Sequence, residues 1–349
     1  MRTSYLAAQS DVKKTVKIAD SRASMLLRLS RRSDAKSTQV TIGKRAGRRL
    51  LARSAEQQAE RRIVLPSSLP VVMPRLDRSA PRDLRRSVRK GDFTGQTSGF
   101  AAGFMQCNFV ALPKLYAFDF LAFCLRNPVA CPLIEVLEPG CPEPKNVAPG
   151  ADMRTDIPRY RVFKEGRLVE EVDNVSALWS EDMVGFLLGC SFSWEDHLEK
   201  AGLVPRHVEQ KSNVPMFNTD RNNVRSGVFG GKLVVSMRPY KPQHVEAVSA
   251  ITGQYPLSHG APIHHGNPQA LGIVNRAEWS MQPDYGDGVR IRDGEVPVFW
   301  ACGVTPQNAI MEAALPLAIT HAPGHMFITD LLTSEIMQTS CKTTELVDL

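Results

Sequence analysis

Several common functional signatures are missing from this 349-residue sequence. No cysteines have CxxC spacing, and seven scattered cysteines indicate neither a zinc ribbon nor a disulfide framework, so a reducing compartment fits best. The motifs GxGxxG, GxxxxGK(S/T) and GxSxG are absent, which argues against dinucleotide binding, P-loop chemistry and an α/β-hydrolase elbow. No apolar run approaches the roughly 20 residues of a membrane span, and no secretory signal follows the first arginine. We therefore predict no membrane association.

Acidic residues are scarce at the start of the chain. Residues 1–90 contain 23 Lys and Arg against 7 Asp and Glu, whereas the rest contains 20 against 29. An Arg- and Ser-rich, acid-poor segment is typical of an organellar transit peptide, with a disordered tail and a basic arm for nucleic acid or anionic lipid as alternatives. A nucleic-acid-binding domain normally carries positive charge on its folded part, so the acidic body predicts no nucleic-acid partner.

The clearest structural unit spans residues 298–321. Two apolar runs flank a turn and a helical stretch, which predicts strand, turn, helix and strand, with Thr305 as the helix cap. A short helix between buried strands predicts a parallel crossover, with ligands at the carboxyl ends of the strands. The free N–H groups at the start of this helix predict a binding position for a carboxylate. The candidate substrate-binding residues here are Gly303, Val304, Thr305 and Gln307.

Five of the eight histidines lie in Gly- and Pro-rich turns near the C-terminal end. Histidine titrates near neutral pH, so a cluster in loops at a strand edge suits proton transfer. A metal site is the alternative, but neither loop has a carboxylate at ligand spacing, and we predict no metal. Some of these rings are expected only to bond backbone groups. The candidate catalytic histidines are His259, His264, His265, His321 and His325.

A cysteine and an arginine cluster complete the candidate site. Cys302 ends an apolar strand before a helix start, where a thiolate would be stabilised, so it is a candidate nucleophile with core packing as the alternative.

Three arginines lie in the Pro-interrupted stretch 148–161, together with two aspartates. They predict either a self-paired surface loop or a clamp for a substrate carboxylate, for which Arg154 and Arg159 are the candidates.

The body also resembles a family of hydro-lyases that includes the mitochondrial D-glutamate cyclase of animals. The resemblance covers most of residues 82–330, in eight stretches that follow the family order. These stretches are residues 89–99, 131–136, 148–161, 189–193, 206–210 with 213–216, 259–272, 297–307 and 320–330. Gln96 replaces the proline usual in the family, and the segment after Gly272 diverges, which affects substrate selectivity more than fold.

The resemblance implies an α/β fold, a three-layer αβα sandwich with a smaller inserted α+β domain. We predict the following divisions: a leader at 1–80, a body at 81–335 with a larger part at 81–145 plus 235–335 and a smaller part at 146–234, and a tail at 336–349. The transit-peptide-like segment predicts a mitochondrial protein, with the cytoplasm as the alternative. A small acidic amino acid is the expected partner, and self-association stays open.

The activity implied by the resemblance is a cofactor-free lyase that cyclises D-glutamate to 5-oxo-D-proline with loss of water. Such a reaction needs a base for the amine, donors for an oxyanion and a cationic seat for a carboxylate. We expect His321 or His325 as the base and Arg154 as the substrate clamp. The alternatives are a hydro-lyase for another small acid, a metal-dependent hydrolase that uses the histidine loops, and a non-enzymatic amino-acid-binding protein.

Overall fold

The computed structural model describes residues 80–273 and 278–337, which form two antiparallel sheets and six α-helices. The strands are β1 (Phe104–Pro113), β2 (Leu133–Val136), β3 (Tyr160–Lys164), β4 (Arg167–Val172), β5 (Met183–Gly189), β6 (Met216–Asn222), β7 (Lys232–Tyr240), β8 (His264–His265), β9 (Val296–Ala301), β10 (Ala318–His321) and β11 (Phe327–Leu332). The helices are α1 (Ala80–Arg89), α2 (Lys114–Arg126), α3 (Phe192–Lys200), α4 (Arg206–Gln210), α5 (Val245–Thr252) and α6 (Thr305–Ala313). Nearly all of the predicted leader and of the predicted tail lies outside the described residues.

The first sheet is organised around β1. Its strand order is β2-β5-β1-β10-β3-β4, and β11 pairs with β1 on the same side as β10. Side chains along β1 alternate between two apolar cores: Cys107, Phe109 and Ala111 face one, whereas Val110 and Leu112 face the other. Two phenylalanines of α2 pack into the second core. Both faces of the sheet are therefore buried, which explains why β1 is mostly apolar, with Gln106 and Asn108 as its polar exceptions.

The second sheet has the order β6-β7-β9-β8 and contains one of the two strands predicted to form a parallel unit. β9 pairs antiparallel with β7 and β8, whereas β10 pairs antiparallel with β1 and β3 in the first sheet. The predicted parallel crossover is therefore wrong, although strand, helix and strand follow in the predicted order. An apolar run indicates that a strand is buried, but it does not identify the strand with which it pairs. Helix α6 joins the sheets, and its Ile310 packs with Ala301 of β9 and Ala318 of β10.

The start of α6 differs from the predicted cap. Val304 is the cap residue, and Thr305 is already helical. The Thr305 hydroxyl oxygen instead accepts a hydrogen bond from the Val234 N–H, at 3.0 Å. Thr305 therefore fixes α6 to β7, a tertiary contact that competes with the local capping bond.

The chain has the predicted mixed α/β fold. The three-layer sandwich, the inserted domain and the internal boundaries stay predictions. Within residues 80–273 and 278–337, no helix combines the length and the apolar character that a membrane crossing requires.

Candidate active site

A narrow cleft of about 20 Å³ lies where helices α3 and α6 begin. The segment after β5 contributes residues 190–192, and the segment after β9 contributes residues 302–304. The other lining residues are Asn108, Asn213, Val214, Met216, His259, His321, Gly324 and Met326. Among the site residues predicted from the sequence, the cleft brings together His259, Cys302, Gly303, Val304 and His321.

Both helices that begin at the cleft have nine residues. The first turn of a helix carries the positive end of the helix dipole, which attracts anions, although the Thr305 and Gln307 N–H groups of α6 already donate to backbone carbonyl oxygens. Two glycines allow the close packing: a Cβ on Gly303 would overlap the Asn108 side chain, and a Cβ on Gly189 would overlap the Leu257 carbonyl. The two helix starts give the cleft two positions suited to carboxylates.

His321, at the end of β10, has its ring orientation fixed by the backbone of β1. The Phe109 N–H donates to His321 Nδ1 at 3.1 Å, and the Phe109 carbonyl oxygen is farther from Nδ1, at 3.3 Å. Because the Phe109 N–H is the nearer group and can only donate, we assign the lone pair to Nδ1 and the hydrogen of the neutral ring to Nε2. Burial lowers the pKa of His321 to about 4. Nε2 is buried without a hydrogen-bond partner among the described residues, so His321 is a neutral N–H donor at the cleft.

His259 has the opposite tautomer. Its Nδ1 lies 2.8 Å from the Val129 carbonyl oxygen, which can only accept, so Nδ1 carries the hydrogen and Nε2 a lone pair. Burial lowers the pKa of His259 to about 4, which keeps the ring neutral near pH 7. The backbone of His259 is left-handed, with φ +75°, a conformation that is costly for non-glycine residues and often retained for function. His259 Nε2 therefore offers a lone pair to a proton, although a pKa of about 4 makes it a weak base.

Cys302 lines the cleft as a thiol. Burial raises the pKa of Cys302 to about 11, although the backbone N–H groups of Val304 and Gly303 act in the opposite direction. Burial also raises the pKa of Cys190, at the start of α3. Reactive cysteines need thiolate character near neutral pH. The cleft therefore favours packing over nucleophilic attack as the role of Cys302.

The structure does not bring the predicted arginines into the cleft lining. Arg154 donates from Nε and Nη2 to the two carboxylate oxygens of Asp152, at 2.9 and 2.8 Å. This pairing agrees with the self-paired surface loop, one of the two interpretations of the arginine-rich stretch, rather than with a clamp for a substrate carboxylate. Arg159 is half-buried, and its carbonyl accepts from the Ala322 N–H at 2.8 Å. Gln307 is buried behind the cleft, where its Nε2 donates to the His321 carbonyl at 3.0 Å and so supports the end of β10.

The three remaining candidate histidines also lie outside the lining. His325 Nδ1 is 3.2 Å from the Pro323 carbonyl oxygen, and burial lowers the pKa of His325. His264 and His265 form β8 at the edge of the second sheet, where His264 Nε2 lies 2.9 Å from the Asn267 carbonyl oxygen. Among the residues that the structure describes, no group of three or more His, Cys, Asp or Glu side chains is placed to hold a metal ion.

Comparison with known proteins assigns a family to the region that contains this cleft. A family model described as "D-glutamate cyclase" matches residues 184–330, which include both helix starts, His259 and His321. A protein of Rubrobacter xylanophilus is 55% identical over 230 residues, which cover 66% of this chain and 87% of that protein. A protein of Geobacillus kaustophilus is 53% identical over 231 residues, which cover 66% and 86%. Both relatives are named "Putative hydro-lyase". The chain belongs to the D-glutamate cyclase family.

Membership of the D-glutamate cyclase family confirms the resemblance found in the sequence and supports a lyase. These relatives are bacterial and give no support to the predicted mitochondrial location, and the predicted leader lies outside the described residues. Among solved structures, a nitrogen repressor-like protein of Methanococcus jannaschii is 8% identical, with a TM-score of 0.28, over 71% of this chain and 97% of its own. That similarity is too low to carry an argument about this cyclase-family chain.

Behind the cleft, this family member has a buried arginine that no motif indicated. Arg238 of β7 is 0% exposed and donates from Nη2 to Ser191 Oγ at 3.0 Å and to Glu195 Oε1 at 2.6 Å. The rings of Trp194 and Trp300 lie 4.6 and 5.4 Å from its guanidinium carbon, within the range of cation–π attraction. Because Ser191 directly precedes α3, the hydrogen bond from Arg238 fixes one of the two helix starts of the cleft.

The acidic partner of Arg238 also contacts a second basic side chain. His207 Nε2 lies 2.8 Å from Glu195 Oε1. Burial raises the pKa of Glu195, but His207 and Arg238 outweigh it and hold the pKa at about 2. The sequence contained one signal for this cluster, a single arginine within the apolar run of β7, because a buried charge requires a partner.

We expect the free energy of unfolding to fall by about 3 kcal/mol for each of His259 and His321 as the pH decreases from 6.5 to 4. Both pKa values are lower in the folded chain than in the unfolded chain. Within this interval the unfolded chain binds protons that the folded chain excludes, so the stabilisation is complete above pH 6.5 and is lost towards pH 4. Urea unfolding at several pH values measures the loss. His321→Gln should show a smaller loss than wild type, and an equal loss would contradict the assignment.

Proposed function

We propose that this chain cyclises D-glutamate to 5-oxo-D-proline with loss of water. One observation carries the proposal: two buried histidines line a single narrow cleft between two helix starts, and we assign them opposite tautomers from their backbone contacts. One ring offers a lone pair and the other an N–H, which are the two groups that a dehydrating cyclisation requires. The family supplies the substrate, since its model is described by D-glutamate cyclase activity.

The two helix starts are suited to the two carboxyl groups of glutamate. One N-terminus holds the α-carboxylate throughout the reaction, and the other faces the γ-carboxyl group, on which an oxyanion develops. The cleft must widen to admit glutamate, and walls that contact the substrate on both sides favour a folded form in which the amine and the γ-carbon meet, which lowers the entropic part of the barrier. In this arrangement the carboxylates need no arginine clamp, consistent with the pairing of Arg154 to Asp152.

The reaction moves two protons from nitrogen to oxygen. The ammonium group loses two protons, its lone pair forms the bond to the γ-carbon, and the γ-carbon–oxygen bond breaks as the oxygen leaves in water. His259 Nε2 accepts each of the two protons from the nitrogen in turn and passes it to the departing oxygen, which leaves as water. The His321 Nε2–H donates a hydrogen bond to the γ-carboxyl oxygen and stabilises the tetrahedral intermediate while keeping its own proton. The base is therefore His259 rather than His321 or His325, because Phe109 already occupies the lone pair of His321 Nδ1.

A chiral assay tests this function directly. The purified chain is incubated with D- or L-glutamate, with and without a chelator, and 5-oxoproline is quantified by chiral chromatography. We expect turnover of D-glutamate alone, unaffected by the chelator. Turnover of neither isomer would overturn the proposed function, and equal turnover of both would overturn the stereochemical part. Loss of activity with the chelator would favour the metal-dependent alternative.

A further inference from the structure

Asn213 contributes an unsatisfied hydrogen-bond acceptor to the cleft. The residue is 4% exposed, and its Oδ1 is buried without a partner among the described residues. Buried polar atoms in folded proteins nearly always have a hydrogen-bond partner, so an exception at a cleft indicates a place for a ligand donor. His321 Nε2 is the other unpartnered buried atom of the lining. The cleft therefore presents one free acceptor and one free donor.

The contacts of Asn213 define which end of its amide faces the free space. Nδ2 donates to the Pro323 carbonyl oxygen at 3.2 Å, and a carbonyl can only accept, so the NH₂ end is on that side. Asp287 Oδ2 accepts from the Asn213 backbone N–H at 2.8 Å and fixes the residue itself. Gly324, with φ +86°, allows the close packing, because a Cβ there would lie 2.6 Å from Asn213 Nδ2. The side chain is thus held with Oδ1 as its unused atom.

On the basis of the cyclisation proposed above, we propose that Asn213 Oδ1 accepts a hydrogen bond from the α-nitrogen of the substrate and so selects amino dicarboxylates over simple dicarboxylates. The helix starts recognise carboxylates alone and would bind both classes. A neutral amide oxygen suits this position better than a carboxylate, which would stabilise the ammonium form and oppose its deprotonation. The same oxygen can accept from the lactam N–H of the product, so the contact persists during ring closure.

The test compares D-glutamate with glutarate, which has the same two carboxylates and no nitrogen. In one assay of 5-oxoproline formation, KM is measured for D-glutamate and Ki for glutarate as a competitive inhibitor. For Asn213→Ala, we expect KM to rise about tenfold or more while Ki changes by less than about twofold, since a hydrogen bond to a charged group accounts for roughly that factor. A purely structural defect would raise both constants together.

Ser212→Ala is the matched control. Its Oγ is also buried without a partner among the described residues, but Ser212 lines a separate cavity beside Phe93 and Phe100, so both constants should match wild type. If Asn213→Ala is folded but inactive, the melting-temperature shifts caused by each ligand replace KM and Ki. If Asn213→Ala does not fold, Asn213→Ser must show the same selective rise in KM.

The outcomes separate this inference from the proposed function. A selective rise in KM supports the role of Asn213. An unchanged KM, or an equal rise in KM and Ki, overturns that role while leaving the cyclisation intact. Absence of turnover of D-glutamate by the wild-type chain overturns the proposed function and the role of Asn213 with it.

Discussion

His321→Ala is expected to lower kcat for D-glutamate about 10²–10³-fold. His321→Gln is expected to keep most of the wild-type kcat. The difference follows from the tautomer. With Nδ1 accepting from Phe109, His321 acts through its Nε2–H, and a glutamine amide can place an N–H donor near the same point. If His321 were the base, glutamine would be as inactive as alanine, because an amide does not accept a proton near neutral pH. Measurement of kcat at saturating D-glutamate distinguishes the two roles.

His259 provides the matched comparison. His259→Ala and His259→Gln should both lower kcat by about 10²–10⁴-fold, because neither side chain can serve as a base. Substantial activity in His259→Gln would contradict the assignment of His259 as the base. Circular dichroism of all four variants establishes that they are folded, which is needed because His321 holds a backbone N–H of β1 and His259 holds the Val129 carbonyl.

The sequence predicted the position of the cleft better than its chemistry. Cys302, Gly303 and Val304 were identified because a strand that ends at a helix start is a local pattern, and the structure places all three in the lining. His321 was identified from its place at a strand end. Its tautomer could not be predicted, because it depends on the Phe109 N–H, a residue 212 positions away along the chain.

Other features depended on pairings that a single sequence does not contain. Arg154 can bind a carboxylate, and the sequence fitted a substrate clamp and a self-paired loop equally well. In the structure its guanidinium is paired with Asp152. The antiparallel placement of β10 beside β1 and β3 likewise follows from tertiary packing. Asn213 lies in a stretch that resembles the family. Only the structure, in which Pro323 and Gly324 lie beside Asn213, shows that its Oδ1 has no hydrogen-bond partner among the described residues.

Arg238→Met should lower the free energy of unfolding by roughly 3–5 kcal/mol, measured by urea denaturation near pH 7. Methionine fills similar volume between Trp194 and Trp300, so most of the loss comes from Glu195, which stays buried and charged with His207 as its remaining basic contact.

The double variant Arg238→Met with Glu195→Gln identifies the cause of that loss. Removing both charges avoids an isolated buried carboxylate, so the double variant should be more stable than Arg238→Met alone. Arg86→Met is the surface control: Arg86 pairs with Asp83 at 3.2 Å, but their side chains are 70% and 61% exposed, so its unfolding midpoint should stay near that of wild type. A double variant no more stable than Arg238→Met would mean that guanidinium packing, rather than the uncompensated charge of Glu195, holds β7 and the start of α3 together.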